Sequence, residues 1–185
     1  MNMSKKRQLL IDTALTLFYK QGIHAIGINE ILTTSGVAKR TLYSHFASKD
    51  ALLEAALETR HNTFMAWLND KLDGANSDQH TIELLFNALA SWFTHNEPKL
   101  GDFRGCFFIN TSAEFSDTQC NIYALCQQHK AEIKTLIENK LQGTNPLLVD
   151  VICIMKEGAI VSTQVSGYNP KHIESCITAL QGMLD

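Results

Sequence analysis

The chain has 185 residues, of which 45% are hydrophobic, and a formal charge of −3. That hydrophobic share excludes the disordered class, and no apolar run approaches the roughly 20 residues of a membrane span. The charge is uneven: residues 1–50 carry seven Lys and Arg against three Asp and Glu, net +4, while the remainder carries nine against sixteen, net −7.

A basic front on an acidic body points to a nucleic-acid contact at the front. The start, MNMSKKRQLLIDTAL, has no continuous apolar stretch or small-residue cleavage site, so a cytoplasmic location is expected. Five cysteines (Cys106, Cys120, Cys126, Cys153 and Cys176) form no C-x-x-C pair, which argues against a disulfide framework or a four-cysteine zinc site.

Only three prolines occur and alternating β-branched runs are scarce, so the chain reads as all-α. Leu10, Ala14, Leu17 and Phe18 recur at helical spacing and predict a first helix over about 4–21, ended by Gly22. A short second helix is expected over 29–35, with Gly36 at its end, and a third over 38–45. Ser48 is a candidate N-cap for a fourth helix reaching about Leu72, with Asp50 in its first turn.

Ile82, Leu85, Phe86, Leu89 and Phe93 mark a fifth helix, which the segment HNEPKLGDFRG breaks. A short sixth is expected over 105–115, and a seventh, capped by Asp117, runs to Gly143. Two Asn-Pro pairs, at 145–146 and 169–170, predict capped starts for the eighth helix (146–166) and ninth helix (170–184). The implied organisation is a three-helix domain over 1–48 and a larger helical domain over 49–185, with the fourth helix as the bridge.

The second helix, the Gly36 turn and the third helix form a helix-turn-helix candidate. In that motif the second helix enters the major groove and its early residues approach base edges. Lys39, Arg40, Thr41 and Ser44 form the outward set, while Val37 and Leu42 pack inward. Tyr43 and His45 can each hydrogen-bond a phosphate, Lys49 stands beside a helix N-terminus, and Lys5 and Lys6, with Arg7, form a basic arm. Taken singly, Tyr43 and Phe46 fit a core role as well as a contact role.

The order of residues in GIHAIGINEILTTSGVAKRTLYSHFASKDALLEAAL, residues 22–57, resembles the DNA-binding domain of TetR-family transcriptional regulators. The matching points are Gly22, Ile31, Gly36-Val37, Leu42-Tyr43, His45-Phe46, Lys49 and Leu52. The resemblance implies a nine-helix TetR-like architecture in which Tyr43, His45 and Lys49 contact phosphates and the start of the third helix reads bases. Thr33-Thr34-Ser35, Ala38 and Arg40 depart from the family pattern, and Arg40 can offer guanine a bidentate contact.

The resemblance also implies a homodimer on a palindromic operator in double-stranded DNA, paired through the eighth and ninth helices. Val151, Ile152, Met155 and Gly158 on one, with Ile173, Ile177 and Leu180 on the other, are the candidate dimer face. It further implies an effector cavity among the fourth to eighth helices, for an apolar or electrophilic small molecule. Trp67, Phe93, Cys106, Phe107, Asn110, Tyr123 and Cys126 are the candidate lining, with His95, Thr111 and Gln164 as further polar contacts.

Cys106 follows Gly105 at an expected helix start and has Arg104 beside it, both of which favour a reactive thiolate. A small buried core residue is the competing reading of that cysteine. Glu58-x-x-His61 has the ligand spacing of di-iron helical bundles, but no second such motif occurs, and His129 and Glu132 stand in reverse order. With no phosphate loop and no nucleophile-centred motif, neither an enzyme nor a bound metal or cofactor is expected. The reading is a ligand-responsive DNA-binding regulator, a repressor released by its effector.

Overall fold

The computed structural model describes residues 3–115, 117–143 and 146–184, with side chains from Lys5 onward. Among them are nine helices and no strand, so the all-α expectation holds. They are α1 (Met3–Gln21), α2 (Ile28–Ser35), α3 (Lys39–His45), α4 (Lys49–Lys71), α5 (Asp78–Phe93), α6 (Phe107–Glu114), α7 (Asn121–Lys140), α8 (Pro146–Ser166) and α9 (Pro170–Gln181).

The helix ends follow the local chemistry of the chain. Ser48 accepts the Ala51 amide at 3.0 Å and starts α4, Ser77 accepts the His80 amide at 3.1 Å and starts α5, and Asn169 accepts the Lys171 amide at 3.1 Å ahead of Pro170. Asn145, the other expected Asn cap, lies outside the described residues. Asp117 does not cap α7. Its carboxylate accepts the Gln119 amide at 2.9 Å within a turn, and the Cys120 sulfur accepts the Tyr123 amide at 3.4 Å at the helix start. A local Asx turn takes the place of the expected cap.

Contacts group the chain into two units. The first holds the residues up to Asn62 together with Phe107–His129. Here α2 and α3 pack on α1, burying Leu10, Ala14, Phe18, Ile31 and Leu42. Aromatic contacts tie α6 into the same unit: the Phe107 ring meets Tyr19 edge-on at 5.9 Å, and Phe108 stacks on the buried His129 ring at 3.5 Å.

The second unit holds Thr63–Cys106 and the chain from Lys130 on. Helix α5 is its spine, packed by α8 and α9 and buried along Ile82, Leu85, Phe86, Leu89, Trp92 and Phe93. Where the segment after α5 turns back, Glu97 is buried and receives three donors. The Trp67 indole N–H reaches Oε2 at 2.8 Å, while the Ser91 hydroxyl and the Lys71 ammonium reach Oε1 at 2.6 and 2.7 Å. Burial pushes this carboxyl up, but the bonds from Lys71, Ser91 and Trp67 outweigh it and hold the group below its ordinary value of 4.5.

Glu97→Gln leaves one acceptor oxygen where two serve three donors, and is expected to cost about 1–3 kcal/mol at pH 7 in urea unfolding. Because the folded carboxyl titrates low, its contribution is complete above the unfolded value and fades as pH falls through the folded one. The gap between wild type and Glu97→Gln should therefore narrow below pH 4.5. A gap that stays constant to low pH would remove the carboxylate from the account.

Candidate nucleic-acid interface

Helix α2 ends because Gly36 adopts the left-handed region at φ 65° and donates its N–H to the Leu32 carbonyl at 2.9 Å. A Cβ at Gly36 would meet nothing within 4 Å, so the glycine is required by backbone conformation and not by space. Ala38 is extended, and its carbonyl takes the Thr41 and Leu42 amides at 2.8 and 3.1 Å to open α3. Val37, Leu42 and Phe46 are buried, which fixes the roll of α3.

That roll leaves Lys39, Arg40, Tyr43 and Ser44 exposed on one side, with Thr41 half-buried. Tyr43 is 48% exposed, the value of a large side chain presented to solvent. The Ser44 hydroxyl donates to the Thr41 carbonyl at 2.7 Å, and its lone pairs remain outward. His45 is half-buried with Nε2 turned inward, unpaired among the described residues. In this conformation its ring edge faces the protein.

Lys5 is exposed and Lys6 half-buried, while the Arg7 guanidinium lies over the Phe46 ring at 5.2 Å, pinning the arm to the end of α3. Lys49 has an internal partner as well. Its ammonium donates to the Ile23 carbonyl at 2.6 Å and lies 5.7 Å from the Phe18 ring centre. It ties the start of α4 to the α1–α2 turn.

A residue without any signal in the sequence pattern completes that turn. Glu114, the last residue of α6, accepts the Ile23 amide at 2.8 Å, the His24 amide at 2.7 Å and the His24 ring at 3.0 Å. Burial raises this carboxyl, but the backbone bonds from His24 and Ile23 and the His24 ring hold it below the ordinary carboxylate value. Its partners are 90 and 91 positions away, and one acidic residue ending a short helix carries no local sign of them.

The candidate effector lining divides between the two units. Trp67, Phe93 and Cys106 lie in the second, all buried; Phe107, Asn110, Tyr123 and Cys126 lie in the first, with Asn110 and Tyr123 half-buried. Trp67 is engaged by Glu97, and Phe93 packs on Phe103 at 4.7 Å. His95 is exposed, holds φ 62° and accepts the Phe103 amide at 3.0 Å, which makes it a turn residue.

Helix α6 begins two residues later than expected, so Cys106 directly precedes it, and the Lys130 ammonium of α7 reaches its sulfur at 3.3 Å while Arg104 is exposed. Lys130 also pairs with Glu157 at 2.7 Å, and Glu157 takes the ammonium of Lys156, a side chain 2% exposed. Burial lowers the Lys130 ammonium, and the facing Cys106 and Glu157 more than restore it. His61 and His129, from the two incomplete motifs, meet Nδ1 to Nδ1 at 3.1 Å. Among the described residues no group of three or more His, Cys, Asp or Glu could hold a metal.

On the expected dimer face, Ile152, Ile173 and Leu180 are buried in the protomer's own core, Val151, Met155 and Ile177 are half-buried, and Gly158 is exposed. The apolar residues that α8 leaves to solvent are Leu147, Ile154, Val161 and Val165. Their spacing of seven, seven and four puts them on one face, the face of Gly158. No helix among the described residues is long and apolar enough to cross a membrane.

Residues 10–56 match the profile described as "Bacterial regulatory proteins, tetR family". Along nearly its full length the chain is similar to the HTH-type transcriptional regulator LmrA of Bacillus subtilis, 24% identical over 97% of this chain and 98% of LmrA. Two other curated relatives match over shorter stretches, and the chain spans only 19% and 61% of their lengths. Its fold is similar to that of a TetR-family regulator from Streptomyces coelicolor, with TM-score 0.84, 24% identity and coverage of 98% and 95% of the two chains. It is also similar to that of the TetR-family regulator CifR, solved as a cysteine mutant with 26-bp double-strand operator DNA, with TM-score 0.77, 14% identity and coverage of 94% of each chain. Residues 10–56 thus carry the helix-turn-helix unit that this family profile describes, and the described residues share the fold of TetR-family regulators.

Proposed function

We propose that this regulator is a cytoplasmic homodimeric repressor that binds a palindromic operator and leaves it when a small molecule occupies or modifies the helical body. The observation that carries the DNA-binding part is the roll of α3, which buries Val37, Leu42 and Phe46 and turns Lys39, Arg40 and Tyr43 to solvent. Residues 1–48 serve as the reading head and residues 49–185 as the body that senses and dimerises.

Lys39, Tyr43 and Ser44 fit phosphate contacts, and Arg40 fits a base contact through its planar fork. Lys5 and Lys6 add charge that tracks the backbone. Lys49 acts chiefly from within, through Ile23, and His45 reaches a phosphate through Nδ1 while Nε2 stays inward. One head covers too little DNA for a specific site, and two heads related by a two-fold axis meet half-sites about 34–36 Å apart.

A second copy of the chain is the partner that suits the exposed stripe of α8. Ile154 and Val165, 70% and 78% exposed, share it with Gly158, where helix backbones can approach closely. Val151, Met155 and Ile177 flank it. The buried Ile152, Ile173 and Leu180 support it from inside.

The effector is an apolar or electrophilic compound. Cys106 supports the electrophilic form, since it is a free thiol with the Lys130 ammonium at hydrogen-bond distance. Trp67 and Phe93, in the same unit as Cys106, are the proposed apolar contacts.

Selection from random DNA should return a two-fold symmetric site. Arg40→Ala is expected to lose about tenfold or more in affinity for it and to relax the preference at one base pair of each half-site. Tyr43→Phe should instead weaken all sequences about equally. Equal losses on every sequence for both variants would remove Arg40 as the reading residue. For the effector, N-ethylmaleimide should release the wild-type protein from DNA and leave Cys106→Ser bound; release of both alike would sink the role of Cys106.

A further inference from the structure

We propose that Glu114 is the positioning residue of the reading head: α6 sets the α1–α2 turn through this one carboxylate, and so decides whether the head is held for binding. The proposal rests on the reading of the chain as an operator-binding protein. Glu114 and the groups it holds all lie in the first unit.

The turn between α1 and α2 is the covalent path by which α2 and α3 hang from α1, and its backbone groups have to be satisfied. Ile23 is held on both sides of its own residue. Its N–H goes to Glu114 Oε1 at 2.8 Å, and its carbonyl takes the Lys49 ammonium at 2.6 Å. The next amide, of His24, goes to Glu114 Oε2 at 2.7 Å, so one carboxylate spans two successive N–H groups with both oxygens. Such charge-assisted bonds are shorter and about twice as strong as neutral ones.

The approach is close enough to constrain the sequence. Gly22 holds φ 91°, and a Cβ there would come to 3.2 Å from Glu114 Oε1. The next residue along, Phe115, lies against the His24 ring at 5.2 Å. At its other end α6 is fixed by Phe107 on Tyr19 of α1. The helix has eight residues, about 12 Å of rise, too short to bend between these two anchors.

A shift of its first turn is therefore carried to its last. The chain enters that first turn from Cys106, the residue proposed to meet the effector. A displacement of α6 within its unit reaches the Ile23 and His24 amides through Glu114. Release of those amides frees the residue on whose carbonyl the Lys49 ammonium rests.

The experiment uses the full chain with Glu114→Gln and Glu114→Ala, each alone and combined with Lys49→Met, under conditions where all remain folded. Amide exchange at Ile23 and His24 is followed by mass spectrometry or NMR, and affinity is measured for the DNA that the wild type selects. Glutamine keeps one acceptor oxygen, so exchange at these two amides and loss of affinity should both rank wild type, then Gln, then Ala. The Ala variant is expected to lose about tenfold in affinity with an unchanged salt slope, because no phosphate contact is removed.

Lys49→Met should cost less in the Glu114→Ala background than alone, since both side chains hold the same residue. Unchanged exchange at Ile23 and His24 in Glu114→Ala would overturn the proposal, as would faster exchange with wild-type affinity. A changed salt slope would mean that the Glu114 charge acts on the DNA itself and would overturn it as well. Failure of the wild type to select any DNA would overturn the operator reading and the positioning role with it, and is recognised in the wild-type arm alone.

Discussion

The backbone of Ile23, held through its N–H by Glu114 and through its carbonyl by Lys49, is the point on which the reading head depends. Helix α1 ends there: Gly22 returns its N–H to the Phe18 carbonyl at 2.9 Å and turns left-handed, and the chain leaves for α2. How α2 and α3 stand on α1 is then set by apolar contacts around Ile31 and Leu42, which are strong but not directional. The direction comes from the ionic hydrogen bonds to the turn. A packed three-helix core and an anchored turn together make a rigid presentation of α3.

A related use of buried charge runs through the second unit. Glu97 and Glu157 are acids that burial alone would push up, yet each is held below its ordinary value by nearby cations and donors. Glu97 joins the end of α4 to the segment after α5. Glu157 joins α7 to α8 and accommodates Lys156, which would otherwise be an uncompensated cation in the core. These clusters define which segments meet, where apolar packing by itself would tolerate several registers.

Much of the architecture is a local property of the chain. The start of α4 at Ser48, the αL turn at Gly36 and the cap at Asn169 are decided within four residues, by side chains that satisfy nearby amides or by a glycine free to take positive φ. The order of helices and the inward set Val37, Leu42 and Phe46 come from the same periodicity. Asp117 shows the limit of that reading. An Asx turn and an N-cap use the same residue types and differ only in the backbone conformation of the next few residues.

The helices, the helix-turn-helix and the basic outer side of α3 are legible in the amino-acid order alone, because each is encoded in spacings shorter than one helix. Which groups from distant segments face each other is a property of the packed chain. Helix α8 is apolar nearly all round at its start, so periodicity could not choose between Ile152, which the chain's own core takes, and Ile154, which it leaves exposed. Lys49 reads as a phosphate contact and the fold adds the Ile23 carbonyl as its partner, while Cys106 acquires Lys130 from 24 residues away. Glu114 is the clearest case: a carboxylate acts on whatever donors the fold delivers, and those donors come from the far end of the chain.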